Sequence, residues 1–270
     1  MDWLYTFYYL FIKKGFVSGL VSGGIQFGIA YGMYAHSKHA VTLWTLPNSL
    51  AGDCAVSLFI QVCITWLVEE IMVGWDCYKS NNTMCQLPEY LIPNRPDKIK
   101  NRFIFAFYDF DKGCLPAEDN LSKKPSFREF LKKNFIRYDS RWVVTNICIW
   151  LIKKLTRAVP FSVLLFIPVW PATIGISTSV GTSSEVNGYY FNHFPTPQIL
   201  KLIYGFVIGM TTSPVSSLVI IRRNYWYYLE NKASDINRLD KEQLQHLESL
   251  PDTSQESSDA AGIIPENEIA

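Results

Sequence analysis

The chain has 270 residues, 49 % of them apolar and 15 % aromatic, with a formal net charge of +1. That balance leaves no basic footprint for nucleic acid, and no nucleic-acid-binding module is present. The charge is segregated. Residues 15–35, 49–73, 159–180 and 198–221 are nearly free of it, whereas the connection between the second and third of these, and the tail after Lys232, hold most of it. Such segregation argues for a helical membrane protein and against a globular one.

The opening "MDWLYTFYYLFIKKGF" places its charges after the apolar run, the reverse of a signal peptide, and reads as an aromatic interfacial helix. Span one follows as "GFVSGLVSGGIQFGIAYGMYA", residues 15–35, long enough for a hydrocarbon core of about 30 Å at about 1.5 Å per residue. Gly15, Gly19 and Gly23 recur every four residues, as do Gly24, Gly28 and Gly32. Two such small-residue tracks let another helix backbone approach closely, and span two is the expected neighbour across a short connection. His36 and His39 share the end of this span without a third ligand nearby, so no metal is expected.

Span two, "NSLAGDCAVSLFIQVCITWLVEEIM", carries Asp53, Ser57, Gln61, Thr65 and Glu69 at intervals of four, with Glu70 beside the last. Successive members rotate by about 40°, which makes a slow spiral along the helix. One reading is a polar seam facing the bundle interior. The simpler reading puts Asp53 and Glu69 at the two membrane boundaries, because the 15 residues between them span about 22 Å.

The connection 74–158 holds 16 Lys and Arg. Within it, "FREFLKKNFIRYDSRWVVTNICIWLIKKL" alternates apolar and basic positions at helical spacing. Lys132, Lys133, Lys153, Lys154 and Arg157 are expected to reach anionic headgroups from interfacial helices, residues 142–158 lying on the surface instead of forming a fifth, partial span. Asn81 and Asn120 match the glycosylation pattern but would be idle on the cytosolic side. "FIFAFYDFDKGC", with Asp109 and Asp111, fails both as a phosphatase motif and as a calcium loop. Span three contains Pro160, Pro168 and Pro171, of which the last two should kink or break it. Span four contains Pro214 within a Thr/Ser run. The six Cys include no C-x-x-C and read as free thiols.

Lys13 and Lys14, the long connection, and Arg222 with Arg223 fall on one side of a four-span arrangement, which makes both termini cytosolic. "LWTLPNSLAGD", "ITWLVEE" and "GWD" together resemble a fungal family of uncharacterised multi-spanning membrane proteins. The resemblance covers mainly spans one and two, and implies membrane location without an established activity.

The expectation is an all-α integral membrane bundle of four transmembrane helices plus interfacial amphipathic helices. Residues 1–74 hold the aromatic segment and spans one and two, 75–158 a basic cytosolic loop, 159–230 spans three and four, and 231–270 a disordered acidic tail with a short helix around Asp240–Leu250. No catalytic motif and no cofactor-binding fingerprint is present. A non-enzymatic scaffold or accessory subunit is the expected role, an oligomeric transporter or channel along the seam the alternative, and a lipid-modifying enzyme the third. The partners expected are the bilayer and an oligomer formed through span one. The endoplasmic reticulum is the default location.

Overall fold

The computed structural model describes residues 3–35, 37, 39–79, 126–135, 142–184, 188–191 and 194–248, with side chains as far as Leu229 except those of residues 133–135. Asn81, Asn120, Asp109, Asp111 and His36, and the side chain of Lys133, lie outside what is described.

Among the described residues five helices carry the fold: α1 (Trp3–Tyr34), α2 (Leu50–Lys79), α3 (Phe127–Phe135), α4 (Val143–Val180) and α5 (Thr196–Glu248). Helices α1, α2, α4 and the Thr196–Leu229 part of α5 are each long and apolar enough to cross a membrane. The chain divides into two units, Met1–Tyr228 and Leu229–Ala270, and the packing below concerns the first. In the second, the described residues are helical to Glu248, so helix also covers residues 231–239, which were expected to be disordered ahead of the short helix around Asp240–Leu250. The segment from Lys232 to Leu250 is free of Gly and Pro and rich in Leu, Lys, Glu and Gln, all good helix formers.

Three strands join the two helix connections at one end of the bundle. β1 (Val41–Thr42), β2 (Thr182–Ser184) and β3 (Gly188–Phe191) form an antiparallel sheet in the order β1-β3-β2. Val41 pairs with Phe191, and Thr182 with Tyr190. Gly188 enters β3 at a φ of +69°, a left-handed conformation that glycine adopts without a Cβ clash. This small sheet is absent from the all-α expectation. Seven residues separate β1 from helix α2, at whose start Ser49 Oγ accepts the Gly52 amide at 3.3 Å as an N-cap.

Helix α1 contains a π-helical stretch, Tyr8–Phe16. Residues five apart diverge by about 140° on an α-helix, but an i→i+5 pattern brings them onto one face. Tyr9 and Lys14 are such a pair, both are buried, and both meet Asp76 of α2.

Helix α4 differs from its expected shape. Residues 142–158 were expected on the surface and span three separately, but Val143–Val180 is one helix of 38 residues running through Pro160, Pro168 and Pro171. The ion pair of Lys154 with Glu70, described below, ties its first turns to the bundle.

Burial is inverted relative to a water-soluble bundle. Val21, Ile25, Val56, Ile60, Leu164 and Ile167 are exposed, whereas Lys14, Lys154, Lys201, Arg223, Glu69 and Glu70 are buried. Soluble proteins almost never bury such groups in number, and large exposed apolar surfaces mark contact with lipid or protein.

Candidate functional site: a polar seam along the second helix

Helix α2 is the hub of the interior. Its four-residue repeat faces α1 and α5 along its length, and Glu70, about 100° further round, faces α4.

Nearest the sheet, Asp53 Oδ2 pairs with Lys201 Nζ of α5 at 3.1 Å and accepts the Tyr34 hydroxyl of α1 at 2.6 Å. Ser57 completes the cluster, donating to Asp53 Oδ1 at 3.1 Å and accepting from Lys201 Nζ at 2.6 Å. Lys201 is 0 % exposed. Burial this complete leaves the ammonium no solvent, so the Asp53 carboxylate and the Ser57 hydroxyl take the place of water around it.

The middle layer is uncharged. Gln26 Nε2 of α1 donates to Gln61 Oε1 at 3.0 Å, and Gln61 Nε2 donates to the Gly205 carbonyl of α5 at 2.7 Å. One amide thereby ties three helices. Thr65, one turn further, is buried as well.

At the far end Glu69 accepts from Ser213 at 2.5 Å and from Ser217 at 3.3 Å, both on α5, and lies 3.7 Å from Lys14 Nζ. Lys14 also pairs with Asp76 Oδ2 at 3.2 Å, to which Tyr9 donates at 2.9 Å. Beside this layer Glu70 Oε1 receives Lys154 Nζ of α4 and Arg223 of α5, each at 2.5 Å. All three side chains are no more than 5 % exposed.

The expected seam residues thus all turn toward neighbouring helices, and their partners, Lys14, Gln26, Tyr34, Lys201 and Arg223, are residues to which the sequence pattern assigned no place in the seam. Lys201 was the available signal, since a lone lysine within an apolar run needs an acid partner. The headgroup expectation fares differently. Lys132 is exposed and Lys153 half-buried, but Lys154 and Arg157 are buried at 4 % and 5 % exposure, turned into the bundle and not outward. Their physical reason is Glu70, whose isolated burial would be more costly than burying the group paired.

The glycine tracks also separate. A Cβ on Gly23 would stand 2.8 Å from the Leu202 carbonyl, one on Gly19 3.0 Å from Phe206, and one on Gly15 3.0 Å from Pro214, all on α5. The close neighbour of this face is therefore span four, and not span two as expected. Gly205 and Gly209 answer from α5, where a Cβ would meet Gln26 at 2.7 Å and the Ser18 carbonyl at 2.8 Å. That Gly-x-x-x-Gly spacing was legible in span four and is what draws α5, instead of α2, against α1. Gly24, Gly28 and Gly32 have nothing within 4 Å. No group of three or more His, Cys, Asp or Glu able to hold a metal lies among the described residues.

Comparison with known sequences places the chain in a family. An uncharacterised protein of Saccharomyces cerevisiae, YHL026C, is 33 % identical over 272 residues, covering 88 % of this chain and 85 % of its own length. The chain belongs to this fungal family of uncharacterised proteins. A second member, the uncharacterised protein C594.02c of Schizosaccharomyces pombe, is 32 % identical over 183 residues, covering 68 % of this chain but only 31 % of its own length. A family described as a protein of unknown function (DUF2456) matches residues 126–221, which take in α3, α4, the β2–β3 hairpin and the α5 half of the seam. No solved structure matches.

Proposed function

We propose that this family member is a multi-pass protein of the endomembrane system, with both termini cytosolic, acting as a non-enzymatic scaffold or accessory subunit. The observation that carries this reading is the inverted bundle, in which charged groups on α2 are spent on partners from α1, α4 and α5 while the outer faces are apolar. In hydrocarbon, helices gain nothing from hiding apolar surface, so ion pairs, amide bonds and close glycine contacts must hold them. The seam meets that need. The orientation is supported by Lys14, Lys154 and Arg223, which gather with Glu69, Glu70 and Asp76 at one end of the bundle. The open track of Gly24, Gly28 and Gly32 supports a further helix packing there, from a second copy or another subunit.

Two measurements test the membrane reading together. The protein should stay in the pellet on alkaline extraction of fungal membranes. In sealed vesicles, an impermeant thiol reagent added from the cytosolic side should label Cys85 and Cys114. Extraction into the supernatant would overturn the membrane assignment; protection of both thiols until the vesicles are opened would invert the topology.

A transport reading is favoured by one feature. A polar pocket of about 400 Å3, lined by Tyr34, Ser37, His39, Phe191 and Gln198, opens beside the hydroxyl that holds Asp53. Exchanging the charges, Asp53→Lys with Lys201→Asp, separates the two readings. A latch should recover much of the assembly lost in either single variant. A conducting path should remain inactive even where assembly returns.

A further inference from the structure

Between α1 and α2 the outer surface is cut by a groove of about 430 Å3. Its walls are Val17, Val21 and Ile25 on one side and Ile64, Val68 and Met72 on the other, all of them exposed. Each wall runs eight residues, about 12 Å, which is roughly the depth of one leaflet's hydrocarbon. The groove is not apolar throughout. Its floor is Ser22, Thr65 and the Glu69 layer of the seam, and at one end it finishes on Lys13, Lys14 and Asp76.

The state of those three end groups defines what fits. Lys14 is 8 % exposed and engaged by two carboxylates. Lys13 is exposed, its ammonium 5.1 Å from the Tyr9 ring centre, and it makes no ion pair among the described residues. Asp76 receives both Tyr9 and Lys14 on Oδ2, so its Oδ1 takes no bond from the described residues, and its side chain is 27 % exposed. One free cation and one free carboxylate oxygen therefore stand together around Tyr9, at the head of a groove one leaflet deep.

We propose that this groove is a binding site for a phospholipid with a primary-amine, zwitterionic headgroup of the phosphoethanolamine type, in the leaflet on the Lys13 side. The acyl chain lies between the two apolar walls. The phosphate meets Lys13, and the ammonium donates to Asp76 Oδ1. A choline headgroup lacks N–H and cannot make the second bond, a serine headgroup brings an extra carboxylate against Asp76, and an inositol headgroup offers no cation. The site rests on the membrane reading above.

The test is native mass spectrometry of the full-length protein released from nanodiscs holding equal amounts of phosphatidylethanolamine, phosphatidylcholine, phosphatidylserine and phosphatidylinositol. The ethanolamine lipid should be retained at least about tenfold over the choline lipid, the order of effect of one charge-assisted hydrogen bond. Lys13→Gln, on an exposed side chain outside the packed interior, should reduce total retention. Asp76→Asn should remove the preference for ethanolamine over choline. Val21→Trp, which fills the groove from an exposed position, should abolish retention and leaves folding as an internal check. Equal retention of all four lipids, or a preference for the serine or inositol lipid, overturns the site while leaving the membrane assignment intact. Failure of the membrane assignment itself would be read separately, in the alkaline extraction.

Discussion

Replacing Glu70 with Gln should destabilise the bundle by about 3–5 kcal/mol, the usual consequence of removing one member of a buried, hydrogen-bonded ion pair. Glu70 is 2 % exposed and accepts Lys154 from α4 and Arg223 from α5 on a single oxygen. The amide keeps the shape but removes the negative charge that Lys154 and Arg223 share. Thermal unfolding of the detergent-solubilised protein, followed by loss of monodisperse elution, reads the effect directly. Substituting Met at Glu70, Lys154 and Arg223 together should recover part of the loss, since the desolvation of all three charges then disappears. A Glu70→Gln protein within about 1 kcal/mol of the parent would mean that the cluster contributes nothing to holding α4 in place.

The second large effect lies on α1, where neighbouring glycines should respond in opposite directions. Gly23→Ala drives a methyl to within 2.8 Å of the Leu202 carbonyl, a backbone atom of α5 that cannot step aside. The helices must separate, at a cost of about 1–3 kcal/mol for overpacking plus whatever the amide bonds of Gln61 lose. Gly28→Ala meets nothing within 4 Å and should be neutral or stabilising by up to about 1 kcal/mol, the gain in helix propensity. Comparing the two melts checks the α1–α5 interface independently of any ion pair. Comparing their cross-linked oligomers checks the other track, because Gly28→Ala should weaken an assembly that packs there while leaving the protomer's own stability unchanged. Equal destabilisation by both substitutions would contradict the packing described for α1.

Much of the candidate site was legible because it sits on one helix. Asp53, Ser57, Gln61, Thr65 and Glu69 announce themselves by spacing alone, and the interior seam was among the readings that spacing allowed. Their partners were not legible, for a physical reason. Lys14 and Gln26 lie on α1 and Lys201 and Arg223 on α5, far apart in the chain, and, Lys201 in its apolar run aside, nothing local distinguishes a lysine at a boundary from one drawn inward by a carboxylate. The same ambiguity led the basic residues of 142–158 to be placed on a surface: three cations look prohibitive in a bundle until Glu70 is known to take in Lys154. The sheet was missed because its strands have two to four residues. The Asn187-Gly188 pair before Tyr189, Tyr190 and Phe191 was a hairpin signal of the ordinary kind.

The position of the carboxylates within the chain has a consequence for how such a protein is made. Asp53, Glu69, Glu70 and Asp76 all belong to α2, whereas Lys154 and Lys201 belong to helices that leave the ribosome later. On the membrane reading proposed above, each late cation arrives with its acceptor already waiting, and no lysine has to enter hydrocarbon alone. Lys14, the one cation synthesised before its acceptors, sits near the amino-terminal end of α1, where it can stay hydrated until α2 follows. A circular permutation that placed α4 and α5 ahead of α2 would preserve every contact in the finished bundle yet reverse that order of arrival, turning a sheltered insertion into one that strands its cations first.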